Sequence, residues 1–373
     1  MNILIAPNAM KGSLTAVQCA SIIRNSLLKK YPDAQCTPLP VADGGNGTLE
    51  CLLQALGGTM VEKEVTGILP GEKTLARFGI LPDGTTAVIE SAEVIGMHKL
   101  NPSPMTIANG TTFGIGELIL EIARRNCKKI LIGLGGTATN DGGSGAARAL
   151  GISFFDSHKN ELSAGAIPLL RLHNISTSAQ PLPSVQEIVL LSDVNNILLG
   201  PEGATFTFAR QKGADEEQLP YLEAALKNFA EITESVFKKE YRNIPGSGAA
   251  GGLGFGLLAF CNARITGGID FVLDALSFDE KIQRCNVILT AEGTLDEQTL
   301  YGKGIAGICA RAEKYHKPVH AFVGKISGDK EKLKERLHLA SLTQISPDTI
   351  STEEAMHNAD WLLADAVYES PYI

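Results

Sequence analysis

The strongest constraint on the fold is a regular alternation of apolar strands and amphipathic helices at both ends of the 373-residue chain. Strands that alternate with helices in this way form parallel sheets covered on both faces. At the N-terminal end, strands are expected at 2–6 and 35–41 and helices at 15–31 and 48–56. At the C-terminal end, strands are expected at NVILTAE, PVHAFVG and LASLTQIS, and helices near 304–315, 329–337 and 352–368.

The middle of the chain has a different character. After about residue 60, several strands are joined by turns, and Pro82-Asp83-Gly84 gives the clearest hairpin signal. We therefore predict an α/β protein with two domains. A Rossmann-like, doubly wound parallel-sheet domain is formed by both chain ends, 1–65 plus 285–373, and 66–284 is an inserted second α/β domain. In the middle, helices are expected at 113–125 and 215–239 and strands at 129–132 and 187–191.

Two local features are specific enough to predict. Thr15 and Gln18 are spaced as a capping box at the start of the first helix. Trp361, the only tryptophan, is expected to pack the last helix onto the sheet.

Composition excludes several classes of protein. The formal net charge is −8, and no long run of Lys or Arg is present, so nucleic acid is not an expected partner. No apolar run approaches the length of a membrane span. The seven cysteines are scattered without a C-x-x-C pair, which favours reduced thiols in a cytoplasmic protein.

Five glycine-rich loops carry polar or charged residues. In open α/β sheets, ligands bind beyond the carboxyl ends of the strands, and glycine lets backbone N–H groups approach an anion. Most of these loops fall where a strand ends or a helix begins, so they are candidate ligand loops. They are KGS (11–13), ADGGNG (42–47), GLGGTATNDGGSG (133–145), GSGAAGGLGFG (246–256) and AEGTLDEQTLYGKG (291–304).

Standard nucleotide motifs do not explain these loops. Gly302-Lys303 is followed by glycine, so no Walker A motif is present, and no protein-kinase signature occurs. GSGAAG at 246–251 matches G-x-G-x-x-G, but EYRNIP before it is not a strand pattern. On the basis of this match and the α/β sheet, a nucleotide-dependent hydroxy-acid dehydrogenase is the alternative function. A non-catalytic binder of small acids is a third possibility.

Five acids lie within or beside a glycine loop or a strand end. Because Mg²⁺ takes oxygen ligands and bridges phosphates, this set favours metal-assisted phosphoryl transfer. Cations near the same loops, namely Lys11, Arg210 and Lys212, suit a phosphate or a substrate carboxylate. The acids are Asp43, Asp141, Asp193, Glu292 and Asp296.

The motifs together resemble those of the bacterial two-domain glycerate kinases. In order they are PNAMKGS, VADGGNGT, GLGGTATNDGG, LLSDVNNILLGPEGA, QKGA, GSGAAGGLGFGLLAF and TAEGTLDEQTLYGKG. The resemblance implies ATP- and Mg²⁺-dependent phosphorylation of (R)-glycerate, with 2-phosphoglycerate favoured over 3-phosphoglycerate. It also implies an active site in the cleft between the two domains. The family more often has Asp where Asn8 stands.

Site roles are expected as follows. Asp193 is the favoured general base, with Asp43 and Asp296 as rivals, and Lys11 is a further catalytic residue. Nucleotide and phosphate contacts are expected from Gly135, Gly136, Thr137, Thr139, Asn140, Gly142 and Gly143. Substrate contacts are expected from Lys212, Arg210 and Ser13, and metal contacts from Glu292, Asp296 and Asp141.

Overall fold

The computed structural model describes residues 1–177, 184–297, 299 and 304–371. The β-strands are β1 (Asn2–Ile5), β2 (Gln35–Pro38), β3 (Thr59–Thr66), β4 (Lys73–Ile80), β5 (Thr86–Glu90), β6 (Lys129–Gly133), β7 (Ser153–Phe155), β8 (Asn174–Ser176), β9 (Glu187–Leu191), β10 (Arg264–Thr266), β11 (Val287–Leu295), β12 (Val319–Ile326) and β13 (Ser341–Gln344).

The α-helices are α1 (Ala16–Lys30), α2 (Thr48–Leu56), α3 (Ala92–Ile95), α4 (Pro104–Asn109), α5 (Phe113–Arg124), α6 (Ser144–Ala149), α7 (Ala204–Phe208), α8 (Leu219–Phe237), α9 (Ala249–Cys261), α10 (Gly268–Ala275), α11 (Phe278–Arg284), α12 (Ile305–Lys314), α13 (Lys330–Arg336), α14 (Thr352–His357) and α15 (Ala359–Glu369). Short 3₁₀ helices cover Met97–Lys99, Ile167–Arg171 and Arg210–Lys212. Among the helices of the described ranges, none has the length and apolar character needed to cross a bilayer.

The chain forms two compact units. Unit 1 contains residues 1–43, 50–57 and 267–373, and unit 2 contains 44–49 and 58–266. The expected boundaries were 65/66 and 284/285, whereas the units change at 57/58 and 266/267. The first boundary lies earlier than expected because β3 pairs along its whole length with β4 of unit 2. The second lies earlier because α11 contacts β1, and α10 contacts α12, within unit 1.

Unit 1 is built on a five-stranded parallel sheet in the order β13-β12-β11-β1-β2. Ile3 and Ile5 of β1 pack in one apolar cluster with Ile23 of α1 and Leu363 of α15. The predicted capping box is confirmed, because Thr15 Oγ1 accepts from Gln18 N–H and Gln18 Oε1 accepts from Thr15 N–H.

The expectation for Trp361 is wrong. Its side chain is 63% exposed, whereas Leu362 and Leu363 are buried. Val367 lies one turn beyond Leu363 and is also buried, so the core face of α15 runs through these residues and leaves Trp361 outside it.

Unit 2 is built on a six-stranded sheet in the order β10-β9-β6-β5-β4-β3. Strands β5, β6, β9 and β10 are parallel to one another, and β3 and β4 add an antiparallel edge. A further antiparallel pair, β7 with β8, lies outside this sheet. The predicted fold class, α/β with mostly parallel sheets and helices on both sides, is confirmed.

Candidate active site

The strand order of unit 1 defines where a ligand is expected. From β1 the chain proceeds to β2 on one side, and from β11 it proceeds to β12 and β13 on the other. The order therefore reverses between β1 and β11, and doubly wound sheets bind ligands beyond the carboxyl ends of the strands at this switch point. The loop that contains Lys11 follows β1, and Glu292 lies in the C-terminal half of β11.

A cavity of about 500 Å³ lies at this edge of unit 1. Its polar lining includes five of the residues predicted from the sequence. The structure thus brings together side chains that are up to 285 positions apart in the sequence. They are Lys11, Ser13, Asp43, Glu292 and Asp296.

Glu292 has an unusual environment within the cavity. Its carboxylate accepts a hydrogen bond from the backbone N–H of Ile305, at the start of α12. Its Oε2 atom is buried and has no hydrogen-bond partner among the described residues. Burial raises the pKa of Glu292 to about 8, the charge of Asp43 adds to the rise, and Lys11 opposes it. A cation beside this carboxylate would supply the missing interaction.

Asp296 is held by a local turn directly after β11. Its Oδ1 atom accepts hydrogen bonds from the N–H of Thr299, at 3.1 Å, and from the Thr299 hydroxyl, at 3.3 Å. The Thr299 hydroxyl in turn accepts from the N–H of Asp296. This arrangement fixes the carboxylate at the lining of the cavity.

The two polar residues of the first loop reach the cavity differently. Lys11 is exposed at the cavity lining, so its ammonium is accessible. Ser13 donates from its hydroxyl to the carbonyl oxygen of Met10 at 3.1 Å, which shapes the turn that presents Lys11.

The glycine loop 133–145 of unit 2 has a different organisation around Asp141. This carboxylate is completely buried and accepts four hydrogen bonds. The donors are the N–H and hydroxyl of Thr112 and the N–H groups of Gly143 and Gly145. Burial raises the pKa of Asp141, and these hydrogen bonds oppose the rise. The structure therefore shows Asp141 holding the loop to the start of α5, an environment unlike that expected of a metal ligand.

Lys212 and the polar residues of the same loop are also engaged internally. Lys212 is buried and donates from Nζ to the carbonyl oxygen of Thr139 at 2.8 Å. Burial lowers the pKa of Lys212 to about 7, and the charge of Asp141 opposes the fall. Asn140 donates from Nδ2 to Thr205. Among the described residues, Thr139 Oγ1 and Asn140 Oδ1 are buried without a hydrogen-bond partner.

Two glycine-rich segments of unit 2 pack against each other. Gly142 donates from its N–H to the carbonyl oxygen of Gly251 at 3.0 Å. A Cβ atom on Gly251 would lie on the Thr139 carbonyl oxygen, and one on Gly256 would come within 2.6 Å of the Gly142 carbonyl oxygen. The segment 246–256 therefore needs its glycines for close contact between backbones. The turns before Gly246 confirm that no strand precedes the G-x-G-x-x-G match.

The other predicted residues of unit 2 differ in burial and in their partners. Gly135 is half-buried, Gly136 is exposed and Thr137 is buried. Asp193 follows β9 and is half-buried. Arg210 is exposed and forms an ion pair with Glu216, with Nε–Oε1 and Nη2–Oε2 distances of 2.6 and 3.0 Å.

The sequence reasoning missed part of the cavity wall. The cavity is also lined by Gly324 and Lys325 of β12, by Gln344 at the end of β13, and by several residues of the segment 345–359. The signal that could have found them is positional: both strands were predicted, and the ends of parallel strands meet at one sheet edge.

The lining suits a hydrated divalent cation. In the described part of the chain, no three His, Cys, Asp or Glu side chains gather closely enough to enclose a metal ion by themselves. Mg²⁺ keeps several waters and is usually bound through one or two carboxylates together with substrate phosphates. The buried Oε2 of Glu292 and the neighbouring Asp43 and Asp296 fit that requirement.

Comparison with known proteins identifies the class and then the family. A profile of the glycerate kinase family matches residues 3–370. Glycerate kinase of Bacillus subtilis is 38% identical over 361 residues, which cover 96% of this chain and 94% of the relative. Glycerate 2-kinase of Escherichia coli is 39% identical over 331 residues, covering 88% of this chain and 86% of the relative.

A solved structure agrees with these relatives. The crystal structure of a putative glycerate kinase 2 from Salmonella typhimurium superposes with a TM-score of 0.82 at 34% identity, covering 99% of this chain and 96% of that one. The protein is therefore an α/β phosphotransferase. It belongs to the glycerate kinase family. The comparisons give no support to the dehydrogenase alternative.

Proposed function

We propose that this chain transfers the γ-phosphoryl group of ATP to the 2-hydroxyl of (R)-glycerate, giving ADP and 2-phosphoglycerate. The observation that carries the proposal is the cavity of unit 1, where Asp43, Glu292, Asp296 and Lys11 meet at the switch point of a doubly wound sheet. Membership of the glycerate kinase family supports glycerate as the acceptor.

Within this proposal, Glu292 and Asp296 hold Mg²⁺ directly or through its waters. When bound, Mg²⁺ would neutralise charge on the transferred phosphoryl group. The Oε2 atom of Glu292, which has no hydrogen-bond partner in the part of the chain that the structure describes, supports this role. Asp141, also expected as a metal ligand, accepts four hydrogen bonds from the protein, so we assign it the positioning of the loop 133–145.

Asp193 is the proposed general base, and it takes the proton from the attacking hydroxyl of glycerate. Its position two residues after the end of β9 supports the role, since ligands bind beyond the carboxyl ends of the strands in such sheets. Asp43 and Asp296 remain the alternatives, because both line the cavity. A carboxylate that accepts this proton is typically worth about 10²–10⁴-fold in rate.

The anionic groups of the substrates need cations and backbone donors. Lys11 is proposed to contact a phosphate, as are Gly135, Gly136, Thr137, Thr139, Asn140, Gly142 and Gly143 of the loop. Ser13, Arg210 and Lys212 are proposed for the carboxylate of glycerate. That the site lies between the two parts of the chain stays a prediction. All seven cysteines are free thiols, which supports a reducing, cytoplasmic location.

The activity is tested by incubating the purified protein with ATP, Mg²⁺ and (R)-glycerate and following ADP release. ³¹P NMR of the product distinguishes 2-phosphoglycerate from 3-phosphoglycerate. We expect ADP release that depends on glycerate, and a single product phosphorylated at the 2-position. Absence of ADP over a range of conditions would refute the proposal, and 3-phosphoglycerate would refute the assigned hydroxyl.

The base is tested by Asp193→Asn. We expect kcat to fall by about 10²-fold or more while ATP still binds, because the change removes a proton acceptor and keeps the shape. An unchanged kcat would transfer the role to Asp43 or Asp296, and the corresponding Asn variants then decide between them.

A further inference from the structure

The cavity of unit 1 has a second, apolar wall that the proposed chemistry does not use. It is formed by the loop after β13 and by the helices α14 and α15. We call the residues 345–359 that line the cavity the apolar wall. Its apolar side chains are Ile345, Pro347, Ile350, Ala355, Met356 and Ala359.

This wall lies next to the charged part of the cavity. Met356 packs directly on Gly12, so α14 adjoins the loop that carries Lys11. Ile345 follows β13, whereas Asp43 follows β2 and Glu292 lies in β11, and both of these strands are on the other side of β12. The cavity therefore offers carboxylates and a lysine on one side. On the other side it offers the six apolar side chains, together with the polar residues Ser346, Asp348, Ser351 and Thr352.

The loop at the base of the wall is held in place. Gln344 donates from Nε2 to the carbonyl oxygen of Ser346 at 2.8 Å and to Asp348 at 2.9 Å. Its Oε1 accepts from the N–H of Ile326 at 2.9 Å, and the Ser351 hydroxyl caps α14 through Glu354 N–H. A surface fixed in this way loses little conformational entropy when a ligand binds.

Size and charge indicate the occupant. Cavities of about 300–1,000 Å³ usually hold ligands much larger than a three-carbon acid. Glycerate has only three carbons and cannot cover the apolar side chains of this wall. A nucleoside is uncharged, flat and largely apolar at its base, so it complements the wall, and its phosphates would then reach Lys11.

We propose that the apolar wall is the nucleoside subsite of this kinase, with the base of ATP against Ile345, Ile350 and Met356. The inference rests on the proposed function, because it takes ATP as the phosphoryl donor. It moves recognition of the base to unit 1, whereas the sequence reasoning looked for nucleotide contacts in the loop 133–145. That loop fills much of its own space with backbone contacts.

The test places a bulky ring in the wall. Ala355→Trp fills the cavity from α14, and His357→Trp adds the same ring to the same helix at an exposed position that does not line the cavity. We expect Ala355→Trp to raise the KM for ATP by about tenfold or more and to leave the KM for glycerate within about twofold. His357→Trp should keep both wild-type values. An equal KM for ATP in both variants would overturn the subsite.

A second measurement uses the unmodified protein and so does not depend on a variant that folds. Photolysis with 8-azido-ATP, followed by mass spectrometry of peptides, locates the base. We expect the label within 344–359, and excess ATP should prevent it. Label confined to 133–145 would overturn the subsite while leaving glycerate phosphorylation intact. Wild-type protein that releases no ADP with glycerate would overturn the proposed function and the subsite together.

Discussion

Asp141 and Glu292 are both acids of glycine-rich loops, yet the structure gives them opposite surroundings. Asp141 of unit 2 accepts four hydrogen bonds from its own loop and from Thr112. Glu292 of unit 1 has a buried oxygen without a partner among the described residues and faces a cavity. An acid in a glycine-rich loop can therefore either hold the loop in place or remain available to bind a ligand. The number of hydrogen bonds that its carboxylate accepts from the protein distinguishes the two roles.

The largest effect is expected at Glu292, where a substitution should lower the activity without lowering the stability. Glu292→Gln should lower kcat by about 10²-fold or more, because one of the carboxylates proposed to hold the charge-neutralising Mg²⁺ is lost. The Tm at pH 8.5 should stay the same or rise, since burial and Asp43 disfavour the charged form of this residue. Steady-state kinetics and thermal unfolding measure the two quantities.

The control for this prediction is Glu335→Gln, an exposed position of α13. It should match the wild type in both kcat and Tm. If Glu292→Gln kept full activity, or lost activity only in proportion to a lower Tm, Glu292 would belong with Asp141 as a structural acid.

The next effect is on stability at Asp141. Asp141→Asn should lower the free energy of unfolding by about 3 kcal/mol, because it puts an amide donor against buried N–H groups and removes the negative charge that favours the ammonium form of buried Lys212. Urea unfolding measures the change. The double variant with Lys212→Met should recover part of it, since the buried charge is then gone.

Asp156→Asn is the matched control. Asp156 also accepts three hydrogen bonds from a turn, from His158 and Asn160, but at the surface. Its loss of stability should be much smaller. Equal losses at both positions would show that turn hydrogen bonds alone, rather than burial of the carboxylate, account for the role of Asp141.

The sequence was sufficient for the parts of the fold that follow from local patterns. Strand and helix alternation predicted the sheet of unit 1, and the Thr15–Gln18 spacing predicted a capping box that the structure contains. The polar lining of the cavity was also accessible, because Lys11, Asp43 and Glu292 follow or end predicted strands.

The remainder depends on contacts that no local pattern encodes. The apolar wall carries neither a glycine motif nor a cluster of charge, so its role appears only when β13 is placed beside β12. The packing of Gly142 on Gly251 joins segments more than 100 residues apart. The part of the loop 291–304 that contains Tyr301, Gly302 and Lys303 lies outside the described residues.

A third effect tests the close packing of the two glycine segments. Gly256 lies in α9, where alanine would ordinarily favour the helix, but its Cβ would meet the Gly142 carbonyl oxygen at 2.6 Å. Gly256→Ala should therefore lower the free energy of unfolding by about 2 kcal/mol. Gly71→Ala, where the space is open and only the backbone angle is strained, should cost about 1 kcal/mol. A stabilised Gly256→Ala variant, measured in urea, would contradict the packing.

The smallest effect concerns Glu90, a third buried acid, which ends β5. Its Oε2 accepts hydrogen bonds from the N–H groups of Gly47 and Leu49 at 2.9 and 3.3 Å. Burial raises the pKa of Glu90 to about 7, and these two bonds oppose the rise. Because the folded pKa exceeds the unfolded one, the contribution to stability is complete below about pH 4 and is lost as the pH rises through 7.

Glu90→Gln keeps an oxygen for both backbone donors and cannot ionise. Relative to the wild type, its free energy of unfolding should therefore rise by roughly 1 kcal/mol between pH 6 and pH 8. Glu62→Gln, at an exposed position of β3, should follow the wild-type profile. Urea unfolding at several pH values measures the differences. If the difference in free energy of unfolding were constant across this range, Glu90 would stay ionised. Two backbone donors would then be enough to keep a buried carboxylate ionised, whereas Asp141 has four.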